Sequence, residues 1–357
     1  MARTWPCPFT TILGMVLSLT LTPPAVAQGL RLLATIEVPD APLESFDISW
    51  VDPATHTYYL ADRSNGGVDV IDTRAHRFVR RIGGFVGMRG KNAVSGPDGV
   101  VLVPERHELW VGDGDSTVKV VDLQTQAVVA TLATGGSKRA DELDYDPVDQ
   151  VVLIANPDDD PPFVTLISTT TRTIRGKLAF PDATDGIEQP VWDPVTRRFY
   201  QAVPETKANP GGEVAVIDPK MMTVTATLPV ILCHPHGLAV GPNDELLLGC
   251  SAGKDARSII LNRRTGAVVA TLTEVGGSDQ VWYNPGDQRY YLAARENPSG
   301  PVVGVIDAQT HRWLGNVPTA KNAHSVAVDA MTNEVFVPLT PHAGCPRGCV
   351  GVYGTSR

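Results

Sequence analysis

The sequence repeats itself seven times, and this repeat constrains the fold more than any other feature. Each copy begins with a short apolar segment, such as "FDISWVDP" or "PHGLAVGP", that ends in proline or, once, in alanine. These end positions are residues 53, 104, 147, 194, 242, 285 and 330, so successive copies are 43 to 51 residues apart. Regular periods of this size are typical of solenoids and propellers, in which each copy is one structural unit.

The first six copies also carry the pattern of three further strands. The apolar segment is followed by a β-rich run such as "YYLAD" or "LWVGD", and then by two strands across a tight turn, as in "VKVVDLQTQAVVATL". Four short strands with a period of about 45 residues are typical of one blade of a β-propeller. We therefore predict an all-β fold, a seven-bladed β-propeller that residues 28–357 form as a single domain.

The two ends of the chain predict how the ring closes. The seventh copy offers "CVGVYG" as its third strand and then stops, whereas "LRLLATIEV" at residues 30–38 resembles the outer strands of the other copies. An open strand edge invites aggregation, and closed propellers leave only short edges. We predict that the N-terminal strand completes the last blade.

The first 27 residues have the features of a secretory signal peptide. Arg3 precedes an apolar run from Ile12 to Leu21, and Ala25, Val26 and Ala27 fit a cleavage site of small residues. The apolar run is shorter than the ~20 residues that a transmembrane helix needs. We expect a periplasmic or secreted protein with no membrane span after cleavage.

Charge and cysteine content restrict the partners and the compartment. Loss of residues 1–27 removes only the positive charge of Arg3, which changes the formal net charge from −9 to −10. An acidic protein is a poor candidate for binding nucleic acids or anionic membranes. We expect a monomer whose partner is a small molecule. In an oxidising compartment we expect two local disulfides, Cys233–Cys250 and Cys345–Cys349.

The segments "VLIANPDDDPPFVTLIS" and "LWVGDGDSTVKVVDLQTQAVVATL" resemble the YVTN-repeat propellers of exported bacterial proteins. The resemblance extends over residues 30–357. It implies a propeller fold, and it implies little about function, because that family includes both binding proteins and redox-associated proteins.

A titratable residue stands six positions before the end of every apolar segment. The seven residues are Asp47, Asp98, Asp141, Glu188, His236, Asp279 and His324. The next position shows no such uniformity. In a propeller the loop that enters the innermost strand opens on one face of the central channel, so we expect these seven side chains, which we call the titratable ring, around a single channel mouth.

Five carboxylates around one channel repel each other, and burial raises the cost of each charge. Three kinds of compensation are possible: a bound cation, raised pKa values, or nearby basic side chains. Candidates for the third kind are Lys138, Arg139, Arg63 and Arg295, which lie on loops expected at the same face.

Two imidazoles and one carboxylate from consecutive blades suggest a divalent metal cation as cofactor. His236, Asp279 and His324 can form one face of a coordination sphere that leaves positions open for water and substrate. Glu188, Asp47 and Asp98 are further candidate ligands. Glu188 and Asp141 are the candidate catalytic residues, as general bases.

Two functional hypotheses follow from this ring. The first is a metal-dependent enzyme, a hydrolase such as a lactonase or a lyase, that acts on a small molecule. The gluconolactonase and paraoxonase propellers are similar in having an acid-rich metal site in the channel, although they have six blades and use Asn beside the acids. The second hypothesis is a non-catalytic binding or scaffold propeller. No serine-hydrolase elbow, P-loop, dinucleotide fingerprint or haem attachment motif occurs in the sequence.

Overall fold

The computed structural model describes residues 1–2, 29–251 and 256–355, which form a ring of seven four-stranded antiparallel sheets. The predicted seven-bladed propeller is therefore confirmed. The predicted signal peptide, except for its first two residues, lies outside the described residues. No helix in the described ranges is long and apolar enough to cross a membrane.

The first four sheets follow the chain from the channel outward. After β1 (Leu30–Glu37), blade 1 contains β2 (Ser49–Asp52), β3 (Thr57–Asp62), β4 (Gly67–Asp72) and β5 (Arg77–Gly83). Blade 2 contains β6 (Val100–Val103), β7 (Glu108–Asp113), β8 (Thr117–Asp122) and β9 (Ala127–Ala133). Blade 3 contains β10 (Leu143–Asp146), β11 (Val151–Asn156), β12 (Phe163–Ser168) and β13 (Thr173–Ala179). Blade 4 contains β14 (Pro190–Asp193), β15 (Arg198–Val203), β16 (Glu213–Asp218) and β17 (Thr223–Pro229).

The last three sheets repeat this order. Blade 5 contains β18 (Pro235–Val240), β19 (Glu245–Cys250), β20 (Ser258–Asn262) and β21 (Val268–Leu272). Blade 6 contains β22 (Val281–Asn284), β23 (Arg289–Ala294), β24 (Val302–Asp307) and β25 (Trp313–Pro318). Blade 7 contains β26 (Ala327–Asp329), β27 (Glu334–Leu339) and β28 (Cys349–Thr355). The helical segments of the described chain are two short 3-10 turns, Asn92–Val94 and Pro104–Arg106.

The N-terminal strand closes the ring as predicted. The last sheet has the order β1-β28-β27-β26, and β1 pairs antiparallel with β28 from Leu30 opposite Thr355 to Glu37 opposite Cys349. Blade 7 is thus built from both ends of the described chain, and its outer strand comes from the N-terminal end.

The core lies between blades rather than within them. The buried apolar residues form seven clusters in the described chain, and each cluster joins two neighbouring blades. The second strand of each blade is nearly all buried because both of its faces meet a neighbour. In β3, for example, Leu60 packs towards blade 7, whereas Tyr59 and Ala61 pack towards blade 2. The outer strands are much more exposed, and in β9 exposed and half-buried residues alternate.

Two local devices recur from blade to blade. The third strand shifts register against the outer strand at one position in all seven blades, for example between Val70 and Ile71 and between Val305 and Ile306. Such bulges increase strand twist. At the Asp-Pro turns, Asp52, Asp146 and Asp193 accept hydrogen bonds from turn backbone N–H groups, as expected for Asp at these positions.

Both predicted cysteine pairs lie at disulfide distance. The Cα atoms of Cys233 and Cys250 are 4.5 Å apart, and those of Cys345 and Cys349 are 6.2 Å apart. The first pair joins the loop that enters β18 to the end of β19, and the second joins the start of β28 to the loop before it.

Candidate functional site at the channel mouth

The loops that enter the innermost strands bring the titratable ring together. Six of its seven members line one cavity of about 130 Å³, and the seventh, Asp98, is fully buried and bonded to Arg63, which lines the cavity. The cavity is also lined by Glu142 and by the three arginines Arg63, Arg139 and Arg295. Charged groups of both signs therefore share one small volume.

Two arginines neutralise the carboxylates of blades 1 to 3. The Arg63 guanidinium bonds Asp47 and Asp98, with its Nε 2.9 Å from Asp98 Oδ1. Arg139 Nη2 lies 2.8 Å from Asp141 Oδ2. The ligand oxygens of these three aspartates lie within 4.8 Å of one another, so the arginines hold together groups that would otherwise repel.

Burial and neighbouring charges shift the pKa values of these three carboxyl groups in different directions. Burial by itself would raise the pKa of Asp47, but Arg63 and His324 outweigh it and hold that pKa well below its usual range. Burial raises the pKa of Asp98 to about 8 in spite of Arg63. Burial also raises the pKa of Asp141 well above its usual value, with a further contribution from the charges of Asp47 and Asp98.

A second carboxylate cluster lies on blades 3, 4 and 6. Ligand oxygens of Glu142, Glu188 and Asp279 lie within 4.8 Å of one another, and we call these residues the acidic triad. Glu142 is only 6% exposed, and its Oε2 is buried without a hydrogen-bond partner. Burial raises the pKa of Glu142 well above its usual value, and the charges of Asp141, Asp279 and Glu188 raise it further.

A single arginine balances the acidic triad. Arg295 Nη1 lies 3.0 Å from Asp279 Oδ2. Burial would raise the pKa of Asp279, but Arg295 and the two ring histidines outweigh it and lower that pKa. Burial raises the pKa of Glu188 although His236 opposes this. When its three carboxyl groups are ionised, the triad therefore holds more negative charge than its one arginine neutralises.

Each of the two ring histidines is held by the backbone carbonyl oxygen of the residue two positions earlier. Nδ1 of His236 lies 2.9 Å from the His234 carbonyl oxygen, and Nδ1 of His324 lies 2.8 Å from the Asn322 carbonyl oxygen. Because Nδ1 must donate in these contacts, the neutral rings carry their lone pair on Nε2. Nε2 of His236 lies 3.6 Å from Glu188 Oε1, and Nε2 of His324 lies 3.3 Å from Asp47 Oδ1.

Two neighbouring positions differ from the sequence analysis in detail. β18 begins at Pro235, so His236 is the second residue of the strand instead of preceding it. His234 stands directly before this strand, and its φ of 47° places it in the left-handed region and not in an extended conformation. This turn aims the His234 carbonyl at the His236 ring, so His234 positions its neighbour through the backbone.

The structure groups the predicted metal ligands differently from the sequence analysis. His236, Asp279 and His324 all line the cavity, but the clusters of ligand atoms within 4.8 Å in the described chain contain only carboxylates. Asp279 and Glu188 belong to the acidic triad, whereas Asp47 and Asp98 belong to the group that Arg63 binds. Oxygen ligands therefore dominate the geometry of the mouth.

Sequence reasoning missed Glu142. It follows the ring residue Asp141, at a position where the other copies have Ile, Gly, Gln or Ser, so no pattern singled it out. The one feature that could have revealed Glu142 is that it is the only acidic residue among the seven equivalent positions. By contrast, four basic side chains are predicted as compensating charges, and three of them make ion pairs with the ring, namely Arg63, Arg139 and Arg295.

No protein-family profile matches this chain, and no curated protein sequence is significantly similar to it.

Proposed function

We propose that this protein is an exported propeller that binds a divalent cation at its channel mouth and hydrolyses a small molecule there. The observation that carries the proposal is the acidic triad, in which the buried Oε2 of Glu142 has no hydrogen-bond partner and faces two further carboxylates. The signal-peptide pattern and the two cysteine pairs support export.

Charge favours a cation over an empty cluster. The mouth contains the acids of the ring and Glu142, six carboxylates in all, against the three guanidinium groups. An uncompensated buried charge costs several kcal/mol, roughly, unless it is paired or protonated. A divalent ion between Glu142, Glu188 and Asp279 would pair the charges that Arg295 leaves over.

The donor set indicates which ion would bind. The three proposed ligand side chains supply only carboxylate oxygens, which suit hard cations such as Ca²⁺ or Mg²⁺ better than Zn²⁺. His236 is then a neighbour of the ligand Glu188 rather than a ligand itself. This assignment replaces the histidine-centred site with an oxygen-centred one.

The remaining groups of the mouth suit hydrolysis. A bound cation would polarise a carbonyl group and lower the pKa of a water molecule. Asp141 Oδ1 has no hydrogen-bond partner and is placed to accept a proton, so Asp141 is the proposed general base. Arg295, whose side chain is 31% exposed, is placed to bind an anionic group of the substrate.

One observation favours the non-catalytic alternative. Arg63, Arg139 and Arg295 already bind Asp47, Asp98, Asp141 and Asp279, and the cavity holds only about 130 Å³. A cation could then simply stabilise the mouth of a binding or scaffold propeller. The two functions differ in turnover, not in metal content.

The first experiment measures metal. Elemental analysis of the mature protein should find about one Ca²⁺ or Mg²⁺ per chain, and a chelator should lower the melting temperature. Loss of an outer-shell partner costs about 10- to 100-fold in metal affinity, and loss of a ligand should cost at least as much, so Glu142→Gln or Glu188→Gln should weaken cation binding by at least about 10-fold. Glu274→Gln, an exposed control, should bind as the wild type does.

Two outcomes would contradict this assignment. Absence of bound metal, with no change in melting on addition of Ca²⁺, Mg²⁺, Mn²⁺ or Zn²⁺, would remove the cation. Loss of the metal in the double variant His236→Ala/His324→Ala, with retention in Glu142→Gln, would restore the histidine-centred site.

A panel of lactones and esters then tests hydrolysis, and a bound cation without turnover would favour the scaffold function.

A further inference from the structure

The central channel contains a second cavity, further along the innermost strands from the titratable ring. This cavity of about 290 Å³ is lined by residues of β2, β10, β14, β18 and β22. Because the innermost strands of five blades contribute, the cavity lies on the channel axis. We call it the aromatic chamber, after the rings of Trp50, Tyr145, Trp192, Trp282 and Tyr283 that line it.

A polar layer lies between the aromatic chamber and the charged mouth. Gln280, the residue after Asp279, accepts hydrogen bonds at Oε1 from the Ser325 hydroxyl at 2.7 Å and from the Val326 N–H at 3.0 Å. Its Nε2 donates to the Ser49 carbonyl oxygen at 2.9 Å. Gln280 thus joins blades 6, 7 and 1. Because the aromatic chamber and the cavity at the mouth share no lining residue in the described chain, the chamber is a site separate from the acidic triad.

The closing of the ring brings the indoles of distant blades together. Trp50 of blade 1 and Trp282 of blade 6 meet edge to face with ring centroids 5.2 Å apart. The intervening strand β26 is only three residues long and has the small residue Ala327 at its start. The chamber therefore has an aromatic wall on this side, and the residues of β10, β14 and β18 form the other side.

One carboxyl group lines the aromatic chamber. Asp144 accepts hydrogen bonds from the backbone N–H groups of Tyr145 at 2.7 Å and Trp192 at 2.6 Å, one on each oxygen. None of the described residues that line the chamber is Lys, Arg or His. The two N–H groups hold the carboxyl group in place but carry no formal charge that would neutralise it.

We propose that the aromatic chamber binds a small organic cation of the alkylammonium class. Aromatic faces attract cations, most strongly Trp, and a carboxylate without a basic partner supplies the complementary charge. Each oxygen of Asp144 already accepts one hydrogen bond. A cation whose charge is spread over methyl groups therefore fits better than one that must donate several hydrogen bonds. The volume is close to the lower end of that of small-ligand pockets.

The test compares two probes of the same shape. Choline and its neutral isostere 3,3-dimethylbutan-1-ol are titrated into the protein by calorimetry and by tryptophan fluorescence. Choline should bind saturably and at least about 10-fold more tightly than the alcohol. Equal affinities, or no saturable binding of choline, would overturn the proposal without any variant.

Variants locate the site. Asp144→Asn should abolish the preference for choline over the alcohol, and Trp282→Leu should weaken choline binding by about 3- to 10-fold. Asp182→Asn, an exposed aspartate outside the channel, is the matched control and should bind as the wild type does. An undiminished preference in folded Asp144→Asn would contradict the proposed site. Metal content is measured in parallel, so failure here is separate from failure at the acidic triad.

Discussion

Arg63 links two aspartates of neighbouring blades at the channel mouth. It is nearly buried, and its guanidinium bonds Asp47 of its own blade and Asp98 of the next blade. Burial would lower its pKa, but the two aspartates outweigh this and raise it. The side chain is therefore charged, and it is the link that lets two buried carboxylates face each other.

Replacing Arg63 by alanine should lower the free energy of unfolding by about 3–5 kcal/mol, because it leaves a buried carboxylate without its partner. Chemical denaturation measures this loss. The double variant Arg63→Ala/Asp98→Asn should recover part of it. Arg264→Ala, which removes an exposed ion pair with Asp244, should leave the stability nearly unchanged. An Arg63→Ala protein as stable as the wild type would show that the ion pairs do not hold the mouth.

At the scale of single elements, the loop before β18 shows how a functional side chain is placed. Leu232 and His234 both have positive φ values, 53° and 47°, and the N–H groups of Cys233 and His234 donate to the Gly211 carbonyl oxygen. Non-glycine residues rarely adopt this conformation. The bridge from Cys233 to β19 holds this loop, and the His234 carbonyl in turn orients the ring of His236.

Removal of this bridge should therefore cost stability. The sequence separation of Cys233 and Cys250 is 17, and a closed loop of this size is worth about 3 kcal/mol. We expect Cys233→Ala/Cys250→Ala to lose about this amount in chemical denaturation. The Cys345–Cys349 bridge closes a separation of only 4, so the matched double variant Cys345→Ala/Cys349→Ala should lose less stability. The reverse order of the two losses would contradict the chain-entropy argument.

At the scale of the whole molecule, stability depends on ring closure. Every blade packs between two neighbours, and the cluster between blades 7 and 1 includes Ile36 and Val38 from the N-terminal segment. Loss of β1 removes both the outer strand of blade 7 and part of that cluster. It also exposes the edge of β28.

A chain of residues 39–357 should therefore aggregate or unfold at much lower denaturant concentration than a chain of residues 28–357. Circular dichroism during urea titration and light scattering measure these effects. A synthetic peptide of residues 28–38 should restore part of the stability by strand addition to β28. Equal unfolding midpoints for the two chains would show that closure contributes nothing.

The repeat was sufficient to predict the blade number, the closure by β1 and the seven ring positions. These features are encoded locally: each copy carries its own strand pattern and entry residue, and the period alone places equivalent residues on the same face. The cysteine pairs were likewise predictable, because each pair lies close in sequence.

Only the tertiary structure decided which side chains meet across the channel. Glu142, Glu188 and Asp279 come from three blades, and Trp50 of blade 1 meets Trp282 of blade 6 although blade 7 lies between them. A period reports the face on which a residue lies, but not its distance from residues of other blades, which depends on loop conformation and on ring geometry. The grouping of the ring into arginine-bound aspartates and an acidic triad therefore could not be predicted from spacing, and neither could the aromatic chamber.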